Sequence, residues 1–262
     1  MGKFKETGRE WKHYFTEKSY WQQAISRKER ILLLVKTVSI VAVTGWIYYQ
    51  SPWAVILLGP LGIVLYRQLE EEVIFKKKGE FLLQFKEVTE LMSSALNVGY
   101  SVENAVREAQ KELQIFQVEQ TLMKAELVQM VRQVRLQIPV EQVWMDFAKK
   151  TELEDIVNFA AVFSVAKRSG GNMVEIIQNT IRQIGDKIDV RREIDTILAA
   201  KRYEFRVMCV IPYAMIAYMQ VSFPEFMSCL YGNVLGIGVM TVCLSVYVAA
   251  YLLGAKIIKI EV

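Results

Sequence analysis

The side chains best suited to chemistry are few and scattered. The chain has one histidine, His13, in an aromatic N-terminal segment with no cysteine or carboxylate cluster beside it, too few ligands to hold a metal ion. Its three cysteines, Cys209, Cys229 and Cys243, lie in or beside long apolar runs, at spacings that fit neither a metal site nor a disulfide framework. They read as small hydrophobes. Glu70-Glu71-Glu72 precedes Lys76-Lys77-Lys78 by one to two helical turns, the spacing at which opposite charges support a helix surface. No GxxxxGK(S/T) phosphate loop, GxGxxG, HExxH, GxSxG or CxxC occurs. The expectation is a protein that is not an enzyme and has no catalytic, cofactor-binding or metal-binding residues.

The spacings that do carry meaning concern packing. Gly232-x-x-x-Gly236 and Ala250-x-x-x-Gly254 are small-xxx-small pairs within one long apolar run. Such pairs let helix backbones approach closely in a membrane, either within one subunit or between subunits. Near the N-terminus, Trp11, Tyr14, Phe15, Lys18, Trp21 and Ile25 fall on one helical stripe with basic residues around it. That stripe suits a helix lying on the inner leaflet, or one docked on the protein's own helices.

The elements that position these residues follow from the apolar runs. Of the 262 residues 53% are hydrophobic although 23% are charged, so greasy and charged blocks must alternate. Four runs stand out: Ile31–Tyr49, Trp53–Tyr66, Val207–Val221 and Leu230–Ala255. Crossing a bilayer core takes about 20 helical residues. The first and fourth runs have that length, and the third reaches it by starting near Tyr203. The second is short, and is read as a full span or as one limb of a re-entrant hairpin. Neither Gln50-Ser51-Pro52 nor 222–229, the two connections, contains Lys or Arg. Residues 1–30 carry eight basic and four acidic residues, and 67–206 carry 21 and 22. The positive-inside rule then places both termini and the long loop in the cytoplasm. The balanced charge of that loop gives no basic face for nucleic acid. A small multi-pass transporter or channel subunit with a regulatory bundle is the alternative, although ionisable groups inside the spans are limited to Lys36 near the cytoplasmic end.

Residues 67–206 repeat apolar residues with a period near 3.6. The successive stripes are Phe81/Phe85/Val88/Met92/Ala95, Val102/Ala105/Val106/Ala109/Leu113, Val118/Leu122/Ala125/Met130/Val134, Val140/Val143/Trp144/Phe147, Ile156/Phe159/Ala160/Phe163/Ala166 and Met173/Ile177/Ile181/Ile184/Ile188. This predicts an all-α bundle of about six helices. Gly99 predicts a helix stop and Ser101 the next N-cap. Pro139 suits a first helical turn. Gly170 and Gly171 predict another break, with Asn172 and Glu175 opening the last helix as a capping box. That helix has no stop before Arg206 and is expected to run on into the third span. The segments are therefore 1–30, a basic and aromatic N-terminal segment; 31–66, a first transmembrane hairpin; 67–206, the bundle; 207–255, a second hairpin; and 256–262, a tail.

Leu91–Ala105 (LMSSALNVGYSVENA) resembles the L…G-x-S-ϕ-x-x-A segment of the type II secretion F-domain family. Arg168–Ile177 (RSGGNMVEII) resembles its GG-x-ϕ-x-x-ϕ-L segment, and Arg191–Pro212 its lead into the membrane, with Ala199, Ala200, Arg202 and Pro212 in place. The resemblance covers about 65–212 and the flanking runs. One departure is Gln137-Ile138-Pro139, where the family usually has Gly before its Pro. The chain has room for one F domain and resembles the half-size platform proteins of tight-adherence (Tad, Flp) pili, TadB- or TadC-like. The resemblance implies a non-enzymatic platform in the bacterial inner membrane. It also implies a cytoplasmic secretion ATPase, pilin subunits and a paralogous platform protein as partners, in a homo- or hetero-oligomer embedded in membrane lipid.

Overall fold

The computed structural model describes residues 20–50, 58–116, 121–169, 173–231 and 233–258, and all regular structure among them is helical. In chain order the helices are α1 Arg27–Tyr49, α2 Gly59–Asn97, α3 Val102–Phe116, α4 Leu122–Arg135, α5 Val140–Thr151, α6 Glu154–Ser169, α7 Met173–Ser222, α8 Pro224–Tyr231 and α9 Val234–Ile258. They form two compact units. A bundle unit takes 73–190 and the end of the N-terminal segment; a membrane unit takes 27–72 and 191–262. Helices α2 and α7 contribute to both.

The bundle unit is built on the apolar stripes. Phe85, Val88, Met92, Ala105, Val106, Trp144, Ile156 and Ala160 have no measurable exposure. At the centre Trp144 meets Phe159 edge-on with ring centroids 4.8 Å apart, and Phe85 meets Phe159 at 5.6 Å, the T-shaped geometry that aligns a positive ring edge with a negative face. One stripe differs from the sequence reading. In α4 the buried apolar residues are Met123, Leu127, Met130, Val131 and Val134, whereas Leu122 and Ala125 face outward. Thr121 accepts a hydrogen bond from the Lys124 backbone N–H and so fixes Leu122 as the first helical residue. From there 123, 127, 130 and 134 keep one face, which 122 and 125 do not share. Val118 lies outside the described residues.

The N-terminal segment docks on this bundle at its described end. Trp21 is buried; its Nε1 donates to the Thr151 carbonyl at 3.1 Å and its ring meets Phe81 edge-on. Lys77 donates to the Ala24 carbonyl at 2.8 Å. Of the two readings of the aromatic stripe, docking is the one seen at Trp21 and Ile25; Trp11, Tyr14, Phe15 and Lys18 lie outside the described residues.

In the membrane unit α1, the apolar part of α7 and Leu235–Ile257 of α9 are long and apolar enough to cross a membrane. Three of the four apolar runs are thus spanning-length helices. Of the second run, Gly59–Tyr66 opens α2 and 53–57 lie outside the described residues. Helix α7 runs unbroken through 50 residues, with Pro212 inside it, as expected from the missing stop signal. Spans tolerate such a proline because neighbouring groups re-satisfy the freed carbonyl. The connection between the third and fourth runs is itself helical: Pro224, whose fixed φ suits a first helical position, opens α8 with Glu225 in its first turn.

Candidate functional site

Among the described residues no three His, Cys, Asp or Glu side chains gather as a metal site. What the fold offers instead is helix ends, interhelical charge pairs and a polar seam in the membrane unit.

Of the turn residues proposed from the sequence, Gly99 and Ser101 lie among the described residues, between α2 and α3. Helix α2 ends at Asn97; Gly99 has φ +96°, its N–H bonds the Leu96 carbonyl and the Tyr100 N–H bonds the Ala95 carbonyl. That is a Schellman motif with glycine in the left-handed position. Ser101 Oγ accepts from the Asn104 N–H at 3.4 Å and caps α3. The same motif closes α4 with a different residue. Gln137 has φ +63°, its N–H bonds the Val134 carbonyl and the Ile138 N–H bonds the Gln133 carbonyl. The position before Ile138-Pro139 therefore keeps a glycine-type conformation without the glycine. Gly170, Gly171 and Asn172 lie outside the described residues, between the end of α6 at Ser169 and the start of α7 at Met173.

Charged side chains bridge helices across the bundle surface. Lys167 of α6 donates to Glu141 of α5 at 2.8 Å and to Glu103 of α3 at 3.2 Å. The Lys167 hydrogen bond holds Glu141 below the usual carboxylate range. At Glu103 burial pushes the pKa up, but its own backbone N–H and Lys167 outweigh that and lower it. Lys167 is raised, its partial burial outweighed by the two carboxylates. Lys187 of α7 pairs at 2.7 Å with the buried Asp155 of α6, and that hydrogen bond raises the lysine. Lys86 of α2 is raised by its hydrogen bond to Asp189 of α7. Lys150 of α5 donates to Glu126 of α4 at 2.6 Å, and the Tyr20 hydroxyl donates to the same carboxylate at 3.2 Å. Burial, with Glu126 beside it, pushes Tyr20 up. Pairs of this kind, 24 to 106 residues apart in sequence, leave no local signature, and the sequence reading missed them.

In the membrane unit the polar groups answer one another. Thr44 and Tyr213 hydroxyls lie 3.1 Å apart, and Tyr49 and Thr241 2.9 Å apart. Gln220 Nε2 donates to the Ile47 carbonyl at 2.9 Å, the Tyr231 hydroxyl to the same carbonyl at 2.7 Å, and the Tyr247 hydroxyl to the Cys209 carbonyl at 2.9 Å. These bonds tie α1, α7, α8 and α9, the role expected of polar side chains among apolar helices. The small residues act beside them. A Cβ on Gly236 would lie 2.2 Å from the Leu230 carbonyl oxygen of α8, and one on Gly254 would lie 2.3 Å from the Phe205 ring of α7. At both glycines the close approach is to the same chain. Ala250 is exposed, and Gly232 lies outside the described residues.

The protein F description of the type II secretion system (T2SS) matches residues 88–220. That stretch runs from the core of α2 through the bundle to the end of the apolar part of α7. No curated protein matches the chain, and no solved structure does.

Proposed function

Since the chain belongs to the type II secretion system protein F family, we propose that it is a non-enzymatic platform of the bacterial inner membrane. In this reading it couples a cytoplasmic secretion ATPase to the extraction of pilin subunits and their assembly into a pilus, or to protein export, in a Tad-like machine. The observation that carries the reading is the extent of the match, which takes in the bundle and an apolar helix as one segment. Three further features support it. Helix α7 leads from bundle residues into an apolar stretch without a break. Several of the bundle's charged side chains join helices, as at Lys167. The hydroxyls of the membrane unit hydrogen-bond one another, which suits packing better than a solute path.

The orientation belongs to the same proposal. Both termini and the bundle face the cytoplasm, because the Lys/Arg excess lies on their side of the spans. The paralogous platform protein and oligomeric assembly also stand as proposals. The test is deletion of the gene in its host, with complementation and affinity purification of the tagged full chain from membranes. The expected result is loss of pilus assembly or export with the ATPase still present, together with co-purification of that ATPase. Intact assembly and export in the deletion strain would overturn the reading.

A further inference from the structure

Helix α7 carries its proline in a stretch that burial does not hold. The buried residues of the helix are Ile177, Ile181, Ile184, Gly185 and Ile188. From residue 191 to Ser222, all of them described, none is buried. Lipid gives this stretch no drive to pack, because it is as apolar as the side chains themselves. Pro212 lies within it. Proline has no N–H to give the Met208 carbonyl, and its ring crowds that carbonyl. The hydrogen-bond ladder is therefore open at this turn, and such turns are where helices kink sharply.

A small set of ties fixes the stretch instead, and the ties change partner at the proline. Phe205, Cys209, Tyr213 and Gln220 lie on one stripe of α7. Before Pro212 the stripe is tied to α9. The Phe205 ring stacks on Tyr251 with centroids 5.8 Å apart and lies against Gly254, and the Cys209 carbonyl accepts from the Tyr247 hydroxyl at 2.9 Å. After Pro212 the hydrogen bonds run to α1 and α8. The Tyr213 and Thr44 hydroxyls lie 3.1 Å apart, and Gln220 donates to the Ile47 carbonyl at 2.9 Å and to the Tyr231 hydroxyl at 2.7 Å. The Tyr213 ring meets Tyr48 of α1 and Tyr247 of α9 edge-on, at 5.9 and 5.4 Å, so it stands where the two sets of ties meet. The Cys209 carbonyl is the neighbour of the one that Pro212 frees, which puts the Tyr247 bond at the edge of the open turn.

We propose that Pro212 is a hinge in α7 and that the Tyr247 hydroxyl on the Cys209 carbonyl is its lock. With the bond made, α7 is one unbroken helix. With the bond broken, the limb before Pro212 swings away from α9, and Phe205 leaves the Tyr251 ring. The limb after Pro212 stays on α1 and α8. A carbonyl has two lone pairs, so the lock adds to the helix ladder without replacing a bond of it. Hydrogen bonds between membrane helices are modest in strength, which makes this lock one that opens and closes. The device goes beyond the platform role and needs only these four helices; a failed pilus experiment leaves it standing.

The test places spin labels on non-canonical residues at Ile197 and Leu253, both exposed, in the full chain reconstituted in lipid nanodiscs. Pulsed electron spin resonance measures the distance between them. Ile197 stands 15 residues before Pro212, a lever of about 22 Å, so a kink of about 20° moves its label by about 8 Å. Tyr247→Phe keeps the ring against Tyr213 and removes the lock; it should add a population longer by that amount. Pro212→Ala in the Tyr247→Phe protein restores the ladder bond and should remove that population. Tyr49→Phe takes away the link from α1 to Thr241 of α9, leaves the proline turn untouched and should change nothing. A single unchanged distance in Tyr247→Phe overturns the lock. A second population that persists with Pro212→Ala overturns the hinge in favour of α7 tilting as a rigid rod. A Tyr49→Phe shift equal to that of Tyr247→Phe overturns the assignment to this turn.

Discussion

The bundle unit and the membrane unit are both helical and both rich in apolar side chains, yet those side chains do opposite work. In the bundle they face inward: Phe85, Val88 and Trp144 are sealed, and the outward faces of α3 to α6 carry charge. In the membrane unit large apolar residues face outward, with Leu32 69%, Leu235 78% and Val221 83% exposed. Its buried residues form a small cluster around Val41, Tyr48, Leu58, Met240 and Leu244. Water drives the first arrangement, because burial removes apolar surface from it. It cannot drive the second in lipid, which is as apolar as leucine. There the contacts rest on hydroxyl pairs and close backbone approach.

The widest difference should appear on deleting an apolar side chain from each unit. Phe85→Ala leaves a cavity beside Trp144, Phe147 and Phe159 and should cost on the order of 3–5 kcal/mol. Val239→Ala on α9, 57% exposed, should cost less than about 0.5 kcal/mol. Thermal unfolding of the purified full chain in detergent, followed by circular dichroism, measures both. Equal shifts would mean that the units do not differ in what holds them.

Adding volume inverts the comparison. Gly254→Leu drives a side chain into the Phe205 ring, whereas nothing stands within 4 Å of a Cβ on Gly238 of the same helix. The first should destabilise by about 1–3 kcal/mol and the second should be near neutral. Phe205→Ala in the Gly254→Leu background should restore part of the loss. Monodispersity after a heating series reads all three, and no rescue by Phe205→Ala would break the assignment of this contact.

The helix ends show how much of the fold the sequence displays. Gly99 and Ser101 announce a stop and a start because each residue type satisfies a local backbone need. The long final helix is legible because nothing interrupts it. Gln137 is not legible: glutamine carries no left-handed signal, and the surrounding structure imposes that conformation. The docking of Trp21 on Phe81 and Thr151 and the seating of Phe205 against Gly254 depend on which helices meet, which spacing along one helix does not encode. The α4 stripe slipped for a related reason: Leu122 and Met123 are both apolar, and packing of the Met123, Leu127, Met130 and Val134 face against the neighbouring helices decides which of them faces inward. The matched turns permit a test of opposite signs. Gly99→Ala forces a Cβ into φ +96° and should cost about 1–2 kcal/mol. Gln137→Gly relieves the same strain at a smaller cost in chain entropy and should stabilise by about 0.5–1 kcal/mol. Denaturant midpoints of the full chain in detergent check both, and two shifts of one sign would contradict the shared geometry.

The smallest expected effect belongs to the charges at the bundle surface. Glu141 and Glu103 are both held below the usual carboxylate range, and Lys167, which bridges them, is raised. A carboxylate with a lower pKa folded than unfolded contributes stability above its unfolded value, near 4.3. That contribution is lost as the pH falls through the folded value. A raised lysine contributes fully below its unfolded value near 10.4 and loses its contribution only as the pH rises through the folded value, so acidification reports the glutamates. The side chains are 42%, 35% and 30% exposed at Glu103, Glu141 and Lys167, and water screens them accordingly. A double-mutant cycle of Glu141→Gln and Lys167→Met should give a coupling of about 0.2–1 kcal/mol at neutral pH. The coupling should fade as the pH drops below about 4, and salt should weaken it. The apolar cluster offers the counterpart: the cost of Phe85→Ala contains no titrating group and should change far less over the same range. A coupling that survives acid unchanged would show that Lys167 is held by packing of its stem rather than by its two carboxylates.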